Sequence, residues 1–289
     1  MEIGLSEVKT VGRGLLRPEG VVALDDGSIY TADARGRCSR VGQDGQTAFL
    51  GSLGGMPNGI CMDHRGNCIV ANIGNGEVQS LSPDGHHQVL LTEADGKRIP
   101  TPNFPLVDSK KRLWVSNSTY RQNLDEALQK PEADGSIVLI ENGAARIVAE
   151  DIYFANGLAT DEEEIFLYVA ETMKRRILRF RIGADGSLSG AEVYGPGFLG
   201  KFGFPDGIAF DEAGNLWITF PLRNAVGYLS PDRELKIFLE DPEGQVLKHP
   251  SNICFGREGR KTAFIGSLEG STIPYFEVPH PGLRLIHQK

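Results

Sequence analysis

The chain has 289 residues, among them 36 glycines, 16 prolines and 4 cysteines, and a formal net charge of −8. An apolar share of 40% supports a packed core, glycine without a G-X-Y period excludes collagen, and four cysteines in so long a chain are no disulfide framework. The acidic balance argues against nucleic acid and anionic membrane as partners, no apolar run approaches the roughly 20 residues that span a bilayer, and Met1-Glu2-Ile3-Gly4 lacks the features of a signal peptide, so a cytoplasmic protein is expected.

Strand signals dominate from the N-terminus onward. Short alternating runs at residues 20–24, 28–31 and 36–41 are separated by turn residues. Asp26-Gly27, Asp44-Gly45, Asp84-Gly85, Asp134-Gly135, Asn142-Gly143 and Asp185-Gly186 read as tight hairpins, each supplying a residue that tolerates positive φ.

Six segments then share one form: a polar leader, usually a small residue, alternating apolar positions, and a turn. The leaders are Glu19, Asn58, Asn103, Asn156, Asp206 and Ser251, spaced by 39, 45, 53, 50 and 45 residues. All but Asn156 follow a proline. A second strand follows each leader segment, at 28–31, 67–71, 112–116, 165–170, 215–220 and 261–266, and two more follow in most copies. About four strands per 40–50 residues is the signature of a propeller blade. The expected fold is therefore all-β: a single six-bladed β-propeller over residues 1–289. The last copy ends after three strands near Phe276, so residues 3–11 are expected to supply the missing outer strand and close the ring.

One helical signal stands out, at residues 120–130, ended by Pro131. It lies in the longest repeat, so residues 119–135 are expected to form an insertion, a flap over the channel mouth rather than a second domain.

The first strand of each blade lines a propeller's central channel, so the six leaders should meet at one mouth. Two carboxylates and several amides form an oxygen-rich site of charge −2, suited to one divalent cation such as Ca²⁺, Mg²⁺ or Mn²⁺. Zn²⁺ fits less well, because the leaders include no Cys or His. A buried ion-pair network would also hold such groups, and each leader taken singly reads as a turn residue. Other chemistries lack their motifs: no Gly-x-Ser-x-Gly elbow, no phosphate loop and no paired histidines. Cys61 and Cys68 read as buried thiols, and Trp114 and Trp217 as blade packing. His249, Arg35, Asn72, Tyr120, Arg121 and Arg223 fall on loops at the leaders' face, as ligand contacts or as solvated loop residues.

Several of these segments carry a family pattern. They are Arg17-Pro18-Glu19-Gly20; Pro102-Asn103 with Arg112-Leu113-Trp114; Ala155-Asn156-Gly157-Leu158; Phe204-Pro205-Asp206-Gly207; and Asn252-Ile253-Cys254-Phe255-Gly256. Over nearly its whole length the chain resembles the senescence marker protein/regucalcin/gluconolactonase family of six-bladed propellers, which includes metal-dependent lactonases. The resemblance implies that Glu19, Asn103, Asn156 and Asp206 surround one divalent cation, with Ca²⁺ first and Mg²⁺, Mn²⁺, Zn²⁺ or Fe²⁺ as alternatives. It implies hydrolysis of a small-molecule lactone by metal-activated water, with Asp206 as the candidate catalytic base. The third blade departs from the family's Arg-x-Asn-Asp and reads Thr101-Pro102-Asn103-Phe104, which suggests a less polar substrate. The expected substrate contacts are Thr101, Asn103, Phe104, Tyr120 and Arg121. Two alternatives are a phosphotriester hydrolase of the diisopropylfluorophosphatase type and a non-catalytic calcium- or ligand-binding propeller.

Overall fold

Each sequence repeat folds as one antiparallel sheet. A computed structural model describes residues 3–288. Among them, six four-stranded sheets stand around a central axis as the blades of a β-propeller. The inner strands are Val21–Ala23, Pro57–Met62, Pro102–Val107, Ala155–Thr160, Ile208–Phe210 and Pro250–Gly256, in blades 1 to 6. Every inner strand is short and largely apolar because both of its faces are covered by neighbouring blades.

Blade 6 takes its fourth strand from the other end of the chain. Lys9–Val11 pairs antiparallel with Ile273–Glu277, with Thr10 opposite Pro274. The expected closure is therefore present, built by three of residues 3–11; Leu5–Glu7 forms a 3-10 turn before it. Closure covers the edge that blade 6 would otherwise expose.

Large aromatic and aliphatic side chains fill the space between blades. Trp114 and Trp217 are fully buried, and each donates its Nε1 proton at 2.9 Å, to Asp108 and Asp211 respectively. The two tryptophans thus tie the second strand of their blade to the turn before it, as well as packing. Cys38, Cys61, Cys68 and Cys254 are buried free thiols.

The glycines divide by geometry. Gly27, Gly45, Gly85, Gly143 and Gly186 have positive φ, as the hairpin turns require. Asp134-Gly135 is different: Gly135 opens the strand Gly135–Glu141, and a Cβ there would lie 2.7 Å from the carbonyl oxygens of Ser118 and Ile152. This glycine serves close packing rather than a hairpin.

The insertion holds the helix Leu124–Gln129, shorter than the expected residues 120–130. Asn123, itself extended, caps it by accepting from the Glu126 backbone N–H at 3.2 Å, so the helix starts after Asn123. The insertion follows Leu113–Asn117 of blade 3 and so leaves from the face that carries the leaders.

At the opposite face the C-terminal segment crosses the channel. Leu283 donates its N–H to the Phe210 carbonyl at 2.9 Å, and the Gln288 amide donates to Ala23 and Phe255 carbonyls at 3.3 Å. It caps a largely apolar cavity of about 310 Å³ lined by Val22, Ile60, Phe104, Leu158, Phe255 and Ile286, among others.

Candidate metal centre

The six leaders do meet, and local backbone irregularity is what aims them. In blades 2, 3, 4 and 6 the ladder between the first two strands slips at the leader, between Pro57 and Ile60, Pro102 and Phe104, Ala155 and Leu158, and Pro250 and Ile253. A bulge removes the leader from regular pairing and redirects its side chain. In blades 1 and 5 the leader precedes the strand altogether.

Glycines after the leaders bring the inner strands together. A Cβ on Gly20 would lie 2.5 Å from the Asn58 carbonyl oxygen, on Gly59 2.5 Å from that of Asn103, and on Gly157 2.4 Å from that of Asp206. Neighbouring backbones touch there, so no side chain fits.

Hydrogen bonds then run from blade to blade around the axis. Asn58 Nδ2 lies 3.1 Å from Glu19 Oε1 and 3.2 Å from Asn103 Oδ1. Asn103 Nδ2 donates to Ser118 Oγ at 2.9 Å, and Ser118 donates to the Ala155 carbonyl at 2.9 Å. The Gly157 N–H reaches the Asp206 carbonyl at 3.1 Å, and the Gly207 N–H reaches that of Ser251 at 2.7 Å. Ser251 Oγ closes the circuit on the Glu19 carbonyl at 3.0 Å. Each blade is therefore fixed to the next at the level of the leaders.

The circuit leaves one carboxylate oxygen of the leaders unpartnered. Glu19, Asn58, Asn103, Asn156, Asp206 and Ser251 are all buried. Glu19 Oε2 is buried without a hydrogen-bond partner. Asn156 holds its amide nitrogen on Thr172 Oγ1 at 3.2 Å. Burial pushes the Glu19 carboxyl up to about 7, against the opposing charge of Arg17 and the bond from Asn58. Asp206 is raised well above the usual carboxylate range, first by burial and then by the charge of Glu19, with Arg17 and Asn156 opposing. Two neighbouring buried carboxylates thus both resist ionisation, and one of them has an oxygen without a hydrogen-bond partner.

The residues fit a hard divalent ion. Glu19 and Asp206 supply anionic oxygen, and Asn156 and Asn103 supply amide oxygen. Among the described residues there is no cluster of three or more His, Cys, Asp or Glu side chains, so a nitrogen- and sulfur-rich zinc site is not formed.

The other candidate residues sit elsewhere. Thr101 Oγ1 is engaged with the Thr119 carbonyl at 2.6 Å and with Asn117, inside blade 3. Phe104 lines the cavity beneath the leaders, because it is the next residue down the inner strand; its N–H is held by Ser116 Oγ at 3.0 Å. Tyr120 packs into the blade and bonds Ser136 through its hydroxyl at 3.0 Å. Arg121 pairs with Glu132 at 2.8 Å and lies 3.5 Å from Asp134, within its own insertion. Glu19, Asn103, Asn156 and Asp206 thus converge, whereas Thr101, Tyr120 and Arg121 are occupied by local partners.

Two contributors lie outside the expected ligand set. Asn58 organises rather than ligates, since its amide nitrogen serves Glu19 and Asn103 and its oxygen accepts from Arg17 Nη2 at 2.8 Å. Its place in the repeat register pointed to it. Arg17 is the second; it stands two residues before Glu19 in the segment Arg17-Pro18-Glu19-Gly20, which marks the segment but not the role of the arginine.

A six-bladed propeller with an oxygen-lined acidic centre on its axis is the class of protein that fold and geometry define. Residues 86–269 match the SMP-30/Gluconolactonase/LRE-like region, and the chain belongs to that family. It is 30% identical over 230 residues to strictosidine synthase-like 6 of Arabidopsis thaliana, covering 75% of this chain and 60% of that protein. It is 26% identical over 223 residues to a gluconolactonase of Zymomonas mobilis, covering 73% of this chain and 60% of that protein. The chain thus spans about 60% of the length of these two relatives. A solved gluconolactonase from Xanthomonas campestris superposes with a TM-score of 0.76 at 22% identity, over 96% of this chain and 89% of that one. At that identity the likeness is one of fold.

Proposed function

We propose that this protein is a divalent-metal-dependent hydrolase that opens a small lactone. The observation that carries the reading is the pair of buried carboxylates, Glu19 and Asp206, with Glu19 Oε2 left without a hydrogen-bond partner. The gluconolactonase among its relatives supports the reaction class.

Glu19, Asn156, Asp206 and Asn103 would hold the ion. Bound there, a divalent cation supplies Lewis acidity toward a carbonyl oxygen and a place for water. Asp206 takes the proton from the attacking water as its oxygen adds to the carbonyl carbon. The ring C–O bond then breaks, and the proton held by Asp206 passes to the departing alkoxide oxygen, giving a hydroxy acid. Asn58 holds Glu19 and Asn103 in place throughout.

The blade 3 segment Thr101-Pro102-Asn103-Phe104 supplies no free charge at the mouth, since the Thr101 hydroxyl is engaged and Phe104 is aromatic. We assign the substrate as a lactone with few hydroxyl groups. The test is acid release from a panel of lactones, from sugar lactones to alkyl-substituted ones, by chelator-stripped protein with single divalent ions restored. Turnover of the alkyl members that depends on the ion supports the assignment. Calcium binding without hydrolysis of any member replaces it with a binding propeller, and turnover of phosphotriesters alone with a phosphotriesterase.

A further inference from the structure

Arg17 introduces a permanent positive charge into the acidic centre. It lies two residues before Glu19 and has φ 52°. Phe154 and His249, two residues before Asn156 and Ser251, share this left-handed backbone at φ 66° and 44°. Left-handed backbone is disfavoured for side chains of this kind, so surrounding bonds must hold it. At blade 1 the Arg17 N–H is fixed on the Gly270 carbonyl at 3.2 Å, and the Glu19 N–H returns to the Arg17 carbonyl at 2.8 Å.

This placement turns the guanidinium onto the leaders. Nη2 donates to Asn58 Oδ1 at 2.8 Å. Nη1 is buried with no hydrogen-bond partner. The charge acts on Glu19 and Asp206 together. With both carboxylates ionised, the centre carries two negative charges and one fixed positive one, because arginine does not lose its proton in a protein. A divalent ion entering it meets a like charge, and the loaded centre is net positive.

We propose that Arg17 is the resident cation of this centre, a specificity-determining residue that weakens its hold on a divalent ion and offers Nη1 to a carbonyl or carboxylate oxygen of the ligand. This rests on the metal-centre reading above. The planar guanidinium can bond Asn58 with one nitrogen while presenting the other to an oxygen acceptor, which a point-charge ammonium does less well.

The test uses the full chain, stripped with chelator and titrated calorimetrically at pH 8 with CaCl2 and then with sodium lactate as a carboxylate probe. Arg17→Met is expected to bind Ca²⁺ roughly tenfold or more tightly than the parent, since a like charge is removed, and to lose the lactate binding of the loaded parent. Arg17→Lys should keep the parent's Ca²⁺ affinity and weaken lactate binding. If Arg17→Met melts far below the parent, Arg17→Gln, which keeps donors without charge, decides the same comparison. Equal or weaker Ca²⁺ binding by a folded neutral variant overturns the proposal. A parent that binds no Ca²⁺ overturns the metal-centre reading instead; the role of Arg17 then survives if a neutral variant gains binding, and falls if none does.

Discussion

Burial makes Glu19 and Asp206 each a reluctant anion, and the Glu19 charge makes Asp206 more so. Replacing Asp206 by Asn keeps the shape and removes the proton acceptor. It is expected to lower turnover of a responsive lactone by about 10²–10⁴-fold, the usual worth of a general base; turnover near that of the parent would remove Asp206 from this role. The same two groups set a pH dependence. The Glu19 pKa is raised from 4.5 to about 7 in the folded chain, so without an ion the folded state binds protons more tightly than the unfolded state. That stability is fully present below about pH 4.5 and is lost as pH rises through about 7. Thermal melting of chelator-treated protein should therefore show Tm falling across this window, and Glu19→Gln should flatten the fall. A Tm independent of pH there in the parent would mean that Glu19 is not held as described. Six leaders were legible in the sequence because they recur in register, and Asn58 was among them. Arg17 stands in the segment Arg17-Pro18-Glu19-Gly20, but its membership of the centre was not legible, because its entry depends on a left-handed φ that arginine rarely adopts.

At the scale of the element, the inner strand is a device for aiming one polar side chain. The bulge frees the leader, and the glycine after it lets the next blade approach until backbones touch. Gly157→Ala would place a methyl 2.4 Å from the Asp206 carbonyl oxygen and force blades 4 and 5 apart. Overpacking of this kind costs about 1–3 kcal/mol. The variant should melt lower and bind a divalent ion more weakly, because it displaces Asn156 from Asp206; unchanged melting and ion affinity would show that the contact yields freely. In the sequence these glycines are marked only by their place after the leaders. Close approach between distant segments has no local signature, as Gly135 also shows: Asp134-Gly135 has the residues of a hairpin, yet the glycine is needed for contact with Ser118 and Ile152. The helix is shorter than its sequence pattern, because Asn123 within that pattern caps it instead of joining it.

The whole molecule is a ring, and its properties are those of closure. Lys9–Val11 joins the first residues of the ring to the last blade, and the bonds through Asn58, Ser118 and Ser251 join blades at the axis. Removing residues 1–11 would leave Ile273–Glu277 as an open edge. The truncated chain should melt lower and self-associate, as seen by light scattering; a monomer with the parent's Tm would mean that the strand adds nothing to closure. Blade number and closure were readable because four strands per repeat leave a defined deficit in the last copy. The floor of the channel was not, because the C-terminal segment 281–288 reaches it through backbone carbonyls of Ala23, Phe210 and Phe255, which any sequence provides.

The axis is where these scales meet, and calorimetric titration of the chelator-stripped chain with Ca²⁺ tests it most directly, run beside lactone hydrolysis on the same samples. One ion per chain should bind, more weakly as pH falls below about 7 where Glu19 takes up its proton. Binding should vanish in Glu19→Gln, and hydrolysis should return with the ion in proportion to occupancy. Hydrolysis that survives chelation, or an ion that binds equally well to Glu19→Gln, would contradict a metal centre built on Glu19 and Asp206.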